Sequence, residues 1–403
     1  MGMLCTLLAA LDSFGSPFSI SLDREDLRMK SRTISIYGAI ALVLVFFSSG
    51  LAAWADDPRP GRIITIDVPG SIFTNAVAMT PAGVITGFFD QLDHTIRSFV
   101  REPDGTLTLF DAPGAGSGVG FGTNAFGINA RGDIAGYVRD ASGVFHGFVR
   151  TYEGKFTTFD VPGAGTASLQ GTSAWDINAE GEIAGEYADA AYVFHAFVRD
   201  PGGLITTFDA PGAGVGPYQG TFVSSADGLN AEGAVSGFYL DSSNVFHALI
   251  RARDGTITTF DVAGAGTGPY QGTSPAGINP AGTTVGSYQD NAGVFHGYLR
   301  ARGGGITAFD VPGAGTGSSQ GSIPTNINTH GDTPGWYADA SLLSHGFLRY
   351  RDGRIETFDA PDAGTGPNQG TFPEFNNSAN AIVGYYLDAS GTFHGFLRTP
   401  PEH

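Results

Sequence analysis

Residues 125–150 read Ala125-Phe-Gly-Ile-Asn-Ala-Arg-Gly-Asp-Ile-Ala-Gly-Tyr-Val-Arg-Asp-Ala-Ser-Gly-Val-Phe-His-Gly-Phe-Val-Arg150, and they hold three strands and two turns in a row. Ala125 to Ile128 is a short apolar run. Asn129-Ala130-Arg131-Gly132 has Asn first and Gly fourth, which is type I turn chemistry. Asp133 to Val138 predicts a second strand, Asp140-Ala141-Ser142-Gly143 a second turn, and Val144 to Arg150 a third strand. After one more turn, Lys155 to Val161, rich in Phe and Thr, predicts a fourth. Nothing in the stretch has helical periodicity.

The pattern recurs. Its closing Phe-Asp motif, Ile-Asp in the first copy, places Asp at 67, 111, 160, 209, 261, 310 and 359, with gaps of 44, 49, 49, 52, 49 and 49. An Arg ending each third strand keeps step at 101, 150, 199, 251, 300, 349 and 398. Four short antiparallel strands per unit of about 40–50 residues is the pattern of a propeller blade. The chain opens on a fourth strand without its first three (Arg62 to Asp67) and ends on a third without its fourth (Phe393 to Arg398). The expected fold is therefore all-β, a seven-bladed β-propeller over residues 62–398 whose N-terminal strand closes the last blade and removes a free edge. A parallel β-solenoid, with shorter repeats, would not leave complementary half-units at the two ends.

Residues 1–55 stand outside the repeat. Arg28, Lys30 and Arg32 precede an apolar run from Ile34 to Phe47, and Ala53-Trp54-Ala55 follows. That order predicts a signal peptide over 29–55, with 1–28 a mis-annotated upstream segment, 56–61 a linker and 399–403 a tail. The run is shorter than the roughly 20 residues that span a bilayer, so no membrane span is expected in the mature chain. The expected address is secreted, periplasmic or extracellular. The single cysteine, Cys5, lies in the discarded part, so stability rests on packing rather than disulfides. The 348 residues beyond Ala55 fit seven units of 49 with little left over, which argues for one domain, expected to be monomeric.

The net charge is −18, and residues 1–55, with four basic and four acidic side chains, contribute none of it. Such a surface excludes nucleic acid and anionic membranes as partners.

His146, His195, His247, His296, His345 and His394 each stand four residues before the repeated Arg. Loops such as Pro103-Asp104-Gly105 predict three-residue hairpins with a Gly bulge. Counting outward sets His146 opposite Asp160, His195 opposite Asp209, His247 opposite Asp261, His296 opposite Asp310 and His345 opposite Asp359. Arg97 faces Asp111, and the closing strand brings Asp67 to His394. One structural pair per blade is the reading. Repeated identical pairs do not suit catalysis, so no catalytic residue, metal or cofactor is expected.

The tripeptide His195-Ala196-Phe197, relaxed to His146-Gly147-Phe148, His296-Gly297-Tyr298 and His247-Ala248-Leu249, resembles the signature of the bacterial HAF-family extracellular repeats. Gly127-Ile128-Asn129 and Gly277-Ile278-Asn279 belong to the same likeness, which spans nearly all of 62–398. It implies secretion and a repeat fold, and brings no enzymatic activity.

The Gly-rich connections between units carry Tyr218-Gln219 and Tyr270-Gln271, with Gln170, Gln320 and Gln369 repeating the amide. They are expected on the same face as the turns bearing Asp140, Asp189, Asp241, Asp290, Asp339 and Asp388. Aromatic and amide groups beside carboxylates suit a carbohydrate or a cationic ligand, and a carbohydrate, a cell-surface ligand or a protein is the expected partner. The expected function is a binding or interaction module. A secreted polysaccharide lyase or hydrolase, or a structural envelope protein, are the alternatives. No Asp-x-Asp-x-Asp-Gly calcium loop or Gly-Lys-Ser/Thr ending occurs, and no Gly-x-Ser-x-Gly elbow stands on a strand-to-helix turn. The first unit departs most, with a first connection short by five residues and Asp90, Asp93 and His94 in its turn. The connection near Phe222-Val223-Ser224-Ser225 gains three.

Overall fold

The computed structural model describes residues 61–225 and 227–400, and those residues hold 28 β-strands and no helix. The expected segments 1–28 and 29–55, residues 56–60 of the linker and 401–403 of the tail lie outside the described residues.

The strands pair in antiparallel fours. The first unit is β2 (Phe73–Met79), β3 (Ile85–Asp90), β4 (Ile96–Arg101) and β5 (Leu107–Phe110). The second runs β6 (Gly122–Ile128), β7 (Ile134–Arg139), β8 (Phe145–Arg150) and β9 (Phe156–Phe159). The third is β10 (Gly171–Ile177), β11 (Ile183–Ala188), β12 (Phe194–Arg199) and β13 (Ile205–Phe208). The fourth is β14 (Gly220–Val223), β15 (Val235–Leu240), β16 (Phe246–Arg251) and β17 (Ile257–Phe260). β18 (Gly272–Ile278) to β21 (Ile306–Phe309) form the fifth, and β22 (Gly321–Pro324) to β25 (Ile355–Phe358) the sixth. In the last unit β26 (Gly370–Asn376), β27 (Ile382–Leu387) and β28 (Phe393–Arg398) take β1 (Ile63–Ile66) as fourth strand, with Ile63 opposite Arg398. The outer edge of that unit is thus closed by the start of the chain.

Each first strand also touches the unit before it, by a single parallel pairing such as Gly171 with Phe145, and Phe73 with Phe393 closes the ring. Gly171 stands at φ +111°, and a Cβ there would strike the Phe145 carbonyl oxygen, so only glycine lets the two strands approach. The core of each unit is one fully buried residue on the third strand: Phe99, Phe148, Phe197, Leu249, Tyr298, Phe347 or Phe396. Burying such a ring is worth roughly 1.5–3 kcal/mol. The repeated Arg clasps neighbouring units. Arg150 lies 4.9 Å over Phe110 of the preceding unit, and Arg199, Arg251, Arg300, Arg349 and Arg398 repeat the contact at 4.4–5.0 Å. Such cation–π contacts contribute roughly 0.5–1 kcal/mol each at exposed sites.

A third device joins the turns after the first strands. Asn129 Oδ1 accepts the N–H groups of Arg131 and Asp133, which frees its Nδ2 to donate to the Asn178 carbonyl in the next unit. Asn178, Asn230, Asn279 and Asn328 pass the bond on in turn to Asn377, which reaches Met79 Sδ at 3.9 Å.

Candidate functional site

The opposite end of the units gathers the second-to-third turns and the long connections, and here the expected pairs appear as three-membered latches. His146 Nδ1 lies 2.8 Å from Asp160 Oδ1, while its Nε2 lies 3.5 Å from Asp140 Oδ2. The same geometry joins His195 to Asp209 and Asp189, His247 to Asp261 and Asp241, and His296 to Asp310 and Asp290. It recurs at His345 with Asp359 and Asp339, and at His394 with Asp67 and Asp388. In five of the six units a Tyr (187, 239, 288, 337 or 386) stacks on the imidazole, with ring centres 4.8–5.0 Å apart.

The turn carboxylates are anchored twice. Asp140 Oδ1 accepts the N–H groups of Ser142 and Val144 at 2.8 Å. Partial burial acts to raise its pKa, but those donors and His146 outweigh it and hold the carboxyl below its usual range. Asp241 and Asp290 are held down in the same way.

The glutamines fold inward. Gln170 Oε1 accepts Ala167 N–H and its Nε2 donates to the Ala190 carbonyl. Gln219 bonds Gly216 and Asn244, and Gln271, Gln320 and Gln369 repeat the pattern on Gly268, Gly317 and Gly366. A Cβ at Gly165, Gly214, Gly315 or Gly364 would collide with that amide, which explains the glycines of the connection. Both ends of each amide thus serve the loop. The sequence reading set them toward a ligand, and the structure gives them an internal role instead.

The tyrosines behave differently. The residue before each of these amides donates its N–H to the turn beside it: Tyr218 to the Tyr192 carbonyl and Tyr270 to that of Asn244, both at 2.7 Å. Tyr192, Tyr218 and Tyr270 all have left-handed backbones, at φ 62°, 65° and 62°. The Tyr192 and Tyr218 rings lie 5.6 Å apart, and Tyr270 is 48% exposed. Tyr192 escaped the sequence reading. Its signal was a Tyr where the corresponding turns have Gly143, Gly293 and Gly391.

The fourth unit shows what its three extra residues do. β14 stops at Val223 instead of running seven residues, and the third unit supplies carboxylates to the backbone groups left unpaired. Glu186 Oε2 accepts Val223 N–H at 3.2 Å, and Asp176 accepts Ile177 and Leu229 N–H at 2.7 and 2.9 Å. Burial pushes Glu186 up to about 8 and Asp176 up to about 6. Burial, then the nearby Asp176 charge, raises Asp227 well above the carboxylate range. The buried Trp175 N–H lies close enough to Glu186 to lower its pKa somewhat, yet forms no hydrogen bond of normal geometry. These acids went unread because Asp176 stands where other first strands have Gly127 or Gly277, and Glu186 where others have Phe88, Tyr137 or Phe238.

No protein-family model matches the chain, and no curated protein does. Solved structures similar to it include the BP39L lectin of Burkholderia pseudomallei, at 8% identity and a TM-score of 0.47, covering 86% of this chain and 99% of that one. A mutant of the Aleuria aurantia lectin in complex with Fucα1-6GlcNAc has 14% identity and a TM-score of 0.43, covering 75% and 98%. Puromycin hydrolase has 11% identity and a TM-score of 0.49, covering 82% and 53%. Likeness at this level says nothing of what this chain binds.

Proposed function

We propose that this chain is a secreted seven-bladed β-propeller of the HAF-repeat kind that binds carbohydrate through the tyrosine-bearing part of its loop face. The observation that supports the reading is the placement of Tyr192, Tyr218 and Tyr270. The left-handed backbone belongs to the loop, since Leu169, Ser319 and Asn368 share it at the place of Tyr218 and His94, Asn244 and Leu342 at the place of Tyr192, and it presents whichever side chain stands there; only these units put tyrosine in it. Tyrosine combines a flat apolar ring with a hydroxyl and little side-chain entropy, which suits stacking on a sugar ring with one polar contact. The His, Asp and Gln side chains around them are engaged in latches and loop bonds and supply rigidity. Glu186 and Asp176, whose pKa is raised, are buried on backbone N–H groups, so hydrolysis or elimination has no comparable support.

The test is retention on a glycan array. Wild-type protein should bind a restricted set of glycans, and Tyr218→Ala or Tyr270→Ala should lower retention at least about tenfold, the loss of roughly one stacking contact. An array that retains nothing sinks the reading.

A further inference from the structure

The first unit breaks the latch at three positions together. Gln91 stands where other turns have Asp140 and its equivalents, Arg97 where they have His146, and Phe121 where the next connections have Gln170. Phe121 does not fold back over its loop, and its ring lies under the Arg139 guanidinium at 4.5 Å. At Gly116, the counterpart of Gly165, the atoms nearest a Cβ are the backbone of Asp140 and Ala141, not a side-chain amide. The space that the amide fills elsewhere is open. A cleft of about 450 Å³ results, lined by Gln91, Thr95, Arg97, Asp111 and the backbone of Gly114 and Gly116.

Its chemistry is specific. Arg97 Nε donates to both Asp111 oxygens at 2.9 and 3.0 Å, and an Nη adds a third contact at 2.8 Å. The fork leaves guanidinium donors over, the Asp111 carboxylate stays 44% exposed, and the Gln91 amide makes no hydrogen bond with the described residues. Donors, an acceptor and a two-way amide around one cleft match adjacent hydroxyls, each of which donates and accepts. The Arg97–Asp111 pair is neutral as a whole, and the chain carries a net charge of −18, so an anion is disfavoured.

We propose that this cleft is a single monosaccharide site, one per chain, for a neutral pyranose presenting a vicinal diol. The proposal rests on the carbohydrate reading of the loop face but uses none of its tyrosines.

Calorimetric titration of the full chain with the methyl pyranosides of glucose, mannose and galactose, and with methyl glucuronide, tests it. At least one neutral glycoside should bind at one site per chain, more tightly than the glucuronide. The double substitution Gln91→Asp with Arg97→His restores the latch of the other units, so it should keep the thermal midpoint while lowering affinity tenfold or more. Tyr218→Ala and Tyr270→Ala should leave this affinity unchanged. Undiminished binding by the latch variant, preference for the glucuronide, or no binding of any glycoside overturns the proposal. If glycosides fail while the array still retains the protein through its tyrosines, the cleft falls and the loop-face reading stands. If the cleft binds while the tyrosine variants keep full array retention, the reverse holds.

Discussion

Tyr298 shows how one side chain can depart from its repeat at a cost. It occupies the core position that five other units give to phenylalanine, and its hydroxyl is fully buried without a hydrogen-bond partner among the described residues. A buried, unpaired hydroxyl is unfavourable by roughly 1–3 kcal/mol. Tyr298→Phe should therefore raise stability by about 1 kcal/mol, read as a shift in the denaturation midpoint at unchanged slope; an unchanged or lower midpoint would mean the hydroxyl is satisfied. At this scale the sequence was partly legible. His146 against Asp160 could be counted because a three-residue hairpin fixes register. The fate of Gln170 could not, since it depends on where a flexible side chain turns inside a loop, and no spacing rule records that.

Between elements, the seam of the third and fourth units is where proton binding meets folding. Glu186 normally titrates near 4.5, and burial pushes it up to about 8. Below about pH 4.5 it is protonated in the folded and unfolded chain alike and leaves stability unaffected. As the pH rises from there to 8, the unfolded chain ionises while the folded one stays neutral, so stability falls; above 8 the loss is constant. Asp176, raised to about 6, acts in the same direction over a narrower window. Glu186→Gln keeps an acceptor for Val223 N–H and removes the titration. The variant should gain on the wild type between pH 5 and 8, by on the order of 3–5 kcal/mol at the upper end. Parallel melting curves at the two pH values would reveal no such role. The three extra residues near Ser224 were visible in the sequence. Their acidic supports were not, because Glu186 and Asp176 sit in the preceding unit, 37 and 53 residues from the Val223 and Leu229 N–H groups they accept, and only the packing of unlike strands brings them to the break.

For the whole molecule, the fold followed from the repeat because all seven copies had to agree on one strand pattern, and the half-units at the two ends specified how β1 would pair. What the repeat cannot encode is the joint where the copies stop being alike, and three devices weaken there together. The asparagine ladder ends on the thioether of Met79, where Thr80 replaces the asparagine. Ile66 stands where every other unit offers its neighbour's arginine a phenylalanine, so Arg101 has no ring to lie over there. The connection from Val68 to Phe73 is the short one; it keeps Gly70 but lacks the amide of its counterparts and the glycine, Gly165 in the third unit, that packs on it. β1 on β28, the His394–Asp67 latch, the cluster that packs Ile66 and Val68 with Phe99 and Val383, and the Phe73–Phe393 contact, with ring centres 4.7 Å apart, hold against this. Hydrogen exchange should therefore be faster at the amides of β1 and β2 than at those of the third unit; uniform protection around the ring would contradict this.

The asparagine ladder has a further consequence, because every rung donates in the same sense around the axis. Such an array has a handedness, a first link that only gives and a last that only receives. Damage is then not felt equally on both sides. Replacing one asparagine loosens its own turn and deprives the next unit's carbonyl, while the unit behind loses nothing it was donating.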